Sequence, residues 1–222
     1  MQSKYQDTYI QHNLTDYVCQ FKNLYFTSDT HFFHTNVLNL IPSRLVWTNI
    51  NKFQAPVLNM NAQIQENWKG IGEDDLLFHL GDIFLCREKR SEGLAIALNK
   101  ALEPLKGSVF IILGNHDQRI ATHGTYLLEH VPKLVGILDY AEIMVKNPEE
   151  NNDIPIILSH YPMSQWNGKT RRSVMIHGHC HGNQEEQITQ IDVGIDNNNG
   201  FPYSLQEIFD IILKKIMEKG EF

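Results

Sequence analysis

Short apolar runs punctuate the 222-residue chain, separated by segments in which apolar positions recur with a helical period. Leu24-Tyr25-Phe26, Leu76-Leu77-Phe78, Val109 to Leu113, Ile154 to Leu158 and Val174-Met175-Ile176 read as strands, the first spanning about 22 to 28. Asn36 to Leu40 has room for one helical turn before Pro42. Val57, Leu58, Met60, Ile64 and Trp68 leave a mostly polar opposite face, which predicts a helix ending at Gly70. A second helix is expected over Glu88 to Leu102, with Leu94, Ala97, Leu98 and Ala101 on one face. Leu134 to Val145 reads as β, Asn147 to Asp153 as a solvated turn, and Pro162 to Arg172 as a loop. Ile188 to Ile195 alternates like a strand and gives way to a loop at Asp196 to Gly200. Ser204 begins a C-terminal helix, with Glu207 at capping-box spacing. Strands alternating with helices predict an α/β or α+β architecture, and the length suits one domain over 1–222. Residues 1–20 read as an N-terminal extension of undefined structure.

A polar motif follows each apolar run. In order they are Asp29-Thr30-His31, Gly81-Asp82, Gly114-Asn115-His116-Asp117, Ser159-His160 and Gly178-His179-Cys180-His181. Together they supply three carboxylates, an amide and five imidazoles. Groups at the carboxyl ends of neighbouring strands meet in one crevice, where open α/β sheets bind ligands. Mixed oxygen and imidazole donors of this kind make a site for Mn, Fe, Zn or Ni more readily than for Ca. Asp29-x-His31 and Gly81-Asp82 are weak signals taken alone, since an Asp at a strand tip commonly caps a helix. Gly114-Asn115-His116-Asp117 is the most specific: Asn115 offers a neutral oxygen, and His116 suits general-acid chemistry with a carboxylate on its second ring nitrogen.

Composition narrows the reading. Lys and Arg number 19 against 26 Asp and Glu, a net charge of −7, so a grip on long nucleic acid is disfavoured. Cys19, Cys86 and Cys180 are odd in number and widely spaced, which suggests no disulfide framework and a reducing, cytoplasmic setting. The polar start from Met1 lacks the apolar stretch of a signal peptide, and no apolar run approaches a membrane span.

Five motifs in this order resemble the calcineurin-like metallophosphoesterase superfamily, in particular its small bacterial and phage-type members. The resemblance runs from about residue 24 to about 210 and rests on Thr27 to His34, Leu80-Gly81-Asp82, Gly114 to Asp117, Ser159 to Pro162 and His177 to His181. One departure is visible: Leu85 stands where the family's GDxxD pattern has its second Asp. That places the surroundings of the site, not its ligands, in question.

The resemblance implies a four-layer sandwich of two mixed β-sheets packed face to face with helices on both outer sides. It implies two divalent metal ions. Asp29, His31 and His181 would hold one, Asn115, His160 and His179 the other, and Asp82 would bridge them. A hydroxide shared by the ions would attack phosphorus in line, and His116, oriented by Asp117, would protonate the leaving group. Mn is the expected ion in vitro, with Fe, Zn, Ni or Co as alternatives. The expected activity is a phosphodiesterase acting on a small or nucleotide-like substrate. A phosphomonoesterase or phosphoprotein phosphatase, a nuclease acting on short ends, and a catalytically idle metal-binding scaffold of the same fold are the alternatives. His34 either contacts substrate phosphate or is a surface residue; Arg171 and Arg172 either clamp an anion or are solvated. Trp166 walls a pocket or packs beneath its loop, and Cys180, His79 and His177 read as structural. The motifs carry no code for partner or oligomeric state.

Overall fold

The computed structural model describes residues 11–49, 52–85, 88–146 and 152–219. The first described element is helix α1 (Gln11–Val18), followed by β1 (Leu24–Thr27), the short α2 (Val37–Leu40), a 3-10 segment (Pro42–Thr48) and α3 (Pro56–Asn67). Then come β2 (Leu76–His79), α4 (Ser91–Leu102), β3 (Ser108–Ile112), α5 (Gln118–Thr122) and α6 (Gly124–His130). The second half contains β4 (Leu134–Leu138), β5 (Tyr140–Lys146), β6 (Asp153–Ser159), β7 (Val174–His177), β8 (Gln190–Asp192), β9 (Tyr203–Ser204) and α7 (Leu205–Lys219).

Two sheets result. One has the order β4-β3-β2-β1-β9, the other β5-β6-β7-β8. Strands β1 to β4 are parallel, with Leu24 opposite Leu76 and Leu76 opposite Ser108. In the second sheet β5 is antiparallel to β6, whereas β6, β7 and β8 are parallel. Parallel register brings the carboxyl ends of β1, β2 and β3 to one level, at Thr27, His79 and Ile111. A bridge between Ser28 and Gly194 joins the two sheets at that same end.

Alternation within the strands sorts their side chains between two cores. Phe26, Phe78 and Phe110 face the second sheet, where Ile156, Leu158, Val174 and Ile176 meet them. The Phe26 and Phe78 rings stack at 5.7 Å, and Phe110 lies 5.5 Å beyond Phe78. Leu77, Val109 and Ile111 face the opposite way, onto Met60 and Ile64 of α3, Leu94 and Leu98 of α4, and Leu127 of α6. Full burial of each such side chain favours folding by about 1.5–3 kcal/mol. Leu14 and Val18 of α1, with Ile208 and Ile212 of α7, close the intersheet core. On the outer face of the second sheet, Trp166 from the 162–172 loop covers Ile157 and Met175. Trp166 therefore packs beneath its loop. Among the described residues, no helix is long and apolar enough to cross a membrane.

Several elements differ from their sequence-based expectation, each for a local reason. The second half of the N-terminal extension is helical because Leu14 and Val18 find the intersheet core, and Thr15 Oγ1 accepts a hydrogen bond from the Met144 amide of β5. Helix α4 starts at Ser91, not Glu88. The Glu88 carboxylate folds back over its first turn beside Gly93, where negative charge is favourable. The apolar stretch from Leu134 to Val145 is two strands that separate at Asp139 and enter different sheets. The strand expected over Ile188 to Ile195 shrinks to Gln190–Asp192, because the Asp192 carboxylate accepts the amides of Gly182 and Gly194 and ends the ladder. Most of the expected turn at 147–153 lies outside the described residues.

The C-terminal helix has the capping box its sequence announces. Ser204 Oγ accepts from the Glu207 amide at 3.2 Å, and Glu207 Oε2 accepts from the Ser204 amide at 2.6 Å. Ser204→Ala is expected to lower stability by about 1 kcal/mol with turnover unchanged. A shift in the urea unfolding midpoint at constant slope would report it; an unmoved midpoint would show that the cap contributes nothing.

Candidate active site

The five motifs converge at the carboxyl ends of β1, β2, β3, β6 and β7. Three of the turns that carry them are backbone-strained. Asp29, His31, Asp82, His179 and His181 all have positive φ, between 48° and 70°. Each non-glycine residue held there costs on the order of 1–2 kcal/mol, and such strain clusters at functional sites. Interlocking hydrogen bonds hold the turns: Asp29 N to Gly81 O at 3.0 Å, His31 N to Asp82 O at 3.0 Å, and Gly178 N to His160 O at 3.0 Å. Gly81, at φ +91°, lets its turn lie against the His160 ring and the Gly114 backbone. A Cβ on Gly178 would collide with Ser28 and the Asp29 carboxylate.

Asp29 and Asp82 are buried, and so are the rings of His31 and His160. Asp82 Oδ2 lies 4.0 Å from His31 Nε2, 3.7 Å from His160 Nε2 and 3.8 Å from His116 Nε2. Asp29 Oδ1 lies 3.8 Å from His181 Nε2 and has no hydrogen-bond partner. These spacings are too long for hydrogen bonds. Those from His31, His160 and His181 match two donors on one cation, each about 2.0–2.2 Å from it. Asp29, His31 and His181 form one set with ligand atoms mutually within 4.8 Å; Asp29, Asp82 and His160 form another.

Proton placement fits the same reading. His160 Nδ1 donates to the Leu80 carbonyl at 2.7 Å, so in the neutral ring Nε2 carries a lone pair. That lone pair faces Asn115 Oδ1 at 3.0 Å. Two acceptors face each other, an arrangement that a shared cation satisfies. His181 Nδ1 donates to Asp196 Oδ2 at 2.7 Å, which frees Nε2 toward Asp29. Burial lowers the His31 pKa to about 2, with the positive charge of Arg44 adding to the effect, so the ring stays neutral. Burial raises the Asp29 carboxyl above its usual range, against the opposing pull of His181 and His160. A cation in the crevice would favour its charged form. The side chains present therefore fit divalent metal.

His179 is exposed; its amide donates to Asp29 Oδ2 at 2.8 Å, and its ring packs edge-on against His160 and Tyr161. His34 lies beside His31, ring centroids 5.8 Å apart, at the rim. His116 is 42% exposed at the side chain, and its amide donates to Asp82 Oδ1 at 2.9 Å.

One expectation is corrected, and one alternative falls away. Asp117 does not hold the His116 ring. Its Oδ2 accepts the amides of Asp82 at 2.7 Å and Gly114 at 2.9 Å, and its Oδ1 has no hydrogen-bond partner. It pins two motif turns together, and burial pushes its pKa up to about 6 against those hydrogen bonds. Arg171 and Arg172 are exposed and precede β7, whereas the site lies beyond its carboxyl end. The strand's length therefore separates them from the crevice. Cys180 is half-buried, with Sγ donating to Gln184. His79 is fully buried; because Thr30 Oγ1 donates to Ile83 O, His79 Nε2 must donate to Thr30, which marks it as structural. His177 is likewise fully buried, its Nδ1 bonded to Gly178 O.

Sequence reasoning missed Arg44 and Asp196. Arg44 is completely buried and pairs with Asp196 in a two-pronged contact at 2.8 and 2.6 Å. Burial works against the charge on Asp196, but hydrogen bonds from Arg44 and His181 prevail and hold its pKa at about 2. An Arg within Ile41-Pro42-Ser43-Arg44-Leu45-Val46-Trp47 was the available signal, being a lone charge in an otherwise largely apolar stretch.

A two-sheet sandwich with carboxylates and imidazoles converging at its strand ends presents the donor set of a metal-dependent hydrolase. A sequence model of the calcineurin-like phosphoesterases matches residues 22–215, and the chain belongs to that family. It is thus a hydrolase of phosphoric esters, in a family that binds divalent metals. The chain is similar to the crystal structure of a protein of unknown function, AQ665, from Aquifex aeolicus. Identity is 25% and the TM-score 0.58, over 85% of this chain and 98% of that one. A structure of a novel archaeal phosphodiesterase aligns at 15% identity and a TM-score of 0.38, over 82% of this chain and 98% of that one. No curated protein matches the chain.

Proposed function

We propose that the chain is a binuclear phosphodiesterase acting on a small or nucleotide-like substrate. The observation that carries the binuclear reading is the position of Asp82 Oδ2, 4.0 Å from His31 Nε2 and 3.7 Å from His160 Nε2, imidazoles of two separate motifs. One carboxylate so placed can serve two ions. Asp29, His31 and His181 would hold one ion, Asn115, His160 and His179 the other, with Asp82 between them. When bound, two divalent cations neutralise phosphate charge and lower the pKa of the water they share.

The rest is the work of the chain. Asp117 fixes the height of Asp82 in the crevice, through the amide contact to its Oδ2. His116, anchored by its amide to Asp82 and open to solvent, protonates the leaving oxygen. His34, whose ring centroid lies 5.8 Å from that of His31, would touch the phosphate. A net charge of −7 disfavours long polyanions, which supports a small substrate.

The purified protein is expected to contain about two metal ions per chain and, with added Mn²⁺, to hydrolyse bis(4-nitrophenyl) phosphate faster than 4-nitrophenyl phosphate. Cleavage of the monoester alone would overturn the diesterase assignment. Absence of metal and of both activities after Mn²⁺ addition would overturn the metal centre itself.

A further inference from the structure

We propose that Arg44 is a positioning residue for the ion-binding group Asp29–His31–His181, acting through Asp196. The inference rests on the binuclear reading above. Arg44 sits in the 3-10 segment Pro42–Thr48, whose neighbouring side chains Leu45 and Val46 are exposed. Its guanidinium turns inward, to full burial.

Four hydrogen bonds show what it reaches. Nε donates to Asp196 Oδ1 at 2.8 Å and Nη2 to Asp196 Oδ2 at 2.6 Å. Nη2 also donates to the Asp29 carbonyl at 2.7 Å, and Nη1 to the Thr30 carbonyl at 3.2 Å. Asp196 Oδ2 in turn accepts from His181 Nδ1 at 2.7 Å. One planar group thus fixes the backbone of one ligand and, through a carboxylate, the ring orientation of another 152 residues away from Asp29 in sequence. Asp196 belongs to the 3-10 turn that begins at Ile195, whose amide donates to Ser28 O at 3.1 Å. Both ends of the relay are therefore tied to the same motif turn.

A buried ion pair is a poor way to stabilise a fold, because desolvation offsets its attraction, and an apolar side chain of similar size would serve packing as well. What the pair supplies is geometry. The His181 ring is 23% exposed at the side chain, and Asp196 fixes which nitrogen faces Asp29. Outer partners of this kind typically account for 10- to 100-fold in metal affinity. Among the described residues, the hydrogen bonds of Arg44 and Asp196 reach His181 and the Asp29–Thr30 backbone and none reaches Asn115, His160 or His179, so the larger effect is expected at the His181-side ion.

The test is calorimetric titration of Mn²⁺ into the metal-free full chain. His181→Ala and Asn115→Ala assign the two binding steps. In Arg44→Met, the His181-dependent step is expected to weaken 10- to 100-fold while the Asn115-dependent step weakens less. Arg44→Lys should restore it only in part, since an ammonium cannot reproduce the two-pronged contact. Asp196→Asn leaves Arg44 on the two carbonyls and should weaken the same step, which keeps the test open should Arg44→Met fail to fold. Two wild-type-like steps in Asp196→Asn, or equal weakening of both steps, would overturn the proposal with the binuclear reading intact. No uptake of Mn²⁺ by the wild-type chain would overturn both.

Discussion

Asp82→Asn is expected to lower turnover of bis(4-nitrophenyl) phosphate by on the order of 10³-fold and to reduce the bound metal, with the fold retained. The substitution is chosen for what it leaves alone. Asp82 sits at φ 56°, a region that Asn tolerates well, whereas Ala would add backbone strain. The amide of residue 82 can still donate to Asp117 Oδ2, and an amide oxygen can still accept from the His116 amide, as Oδ1 now does at 2.9 Å. The change therefore removes one negative charge from a position surrounded by three imidazoles. Cations stabilise transition-state charge by several kcal/mol, and each 1.36 kcal/mol is worth about tenfold in rate. Loss of a carboxylate that would be shared between two ions accordingly scales to about a thousandfold. Elemental analysis of the same preparation separates lost metal from lost chemistry. Turnover within about tenfold of wild type would show that Asp82 is not the shared ligand.

The strand ends were legible because each motif is local. An apolar run followed at once by Asp-x-His or Gly-Asn-His-Asp needs no long-range knowledge, and parallel register does the rest by bringing the tips to one level. What sequence adjacency could not supply was direction of side chains. Asp117 follows His116 by one residue, yet it faces Asp82 and Gly114 and misses the imidazole. Positive φ at Asp29, His31, Asp82, His179 and His181 is likewise invisible in residue types, since none is glycine. Arg171 and Arg172 illustrate a signal that was present: they precede the strand whose far end bears His179, and strand direction alone assigns them to the wrong end. The Arg44–Asp196 pair spans 152 residues and carries no motif at either end, so only the fold reveals it. The two strands within Leu134 to Val145 share one apolar pattern, and periodicity does not record a change of sheet at Asp139.

His116→Ala is expected to leave the metal content at the wild-type value and to lower turnover according to the leaving group. Among the described residues His116 belongs to neither metal-holding set, and its ring is the most exposed of the imidazoles that face Asp82. Its side chain can therefore be removed without opening the buried part of the crevice. A positioned general acid contributes about 10²–10⁴-fold, but only where the departing oxygen needs a proton. An alkyl or nucleoside ester leaves as a strongly basic alkoxide and should suffer the full loss. A 4-nitrophenolate leaves readily without protonation and should lose far less. The ratio of the two effects isolates proton donation from general damage, because a distorted metal site would slow both substrates alike. Comparing kcat for a nucleoside phosphodiester and for bis(4-nitrophenyl) phosphate in the same variant makes the measurement. Equal losses on both would remove His116 from the role of acid and return it to that of a rim residue that orients the phosphate, where its 5.6 Å packing against His31 would be the relevant contact.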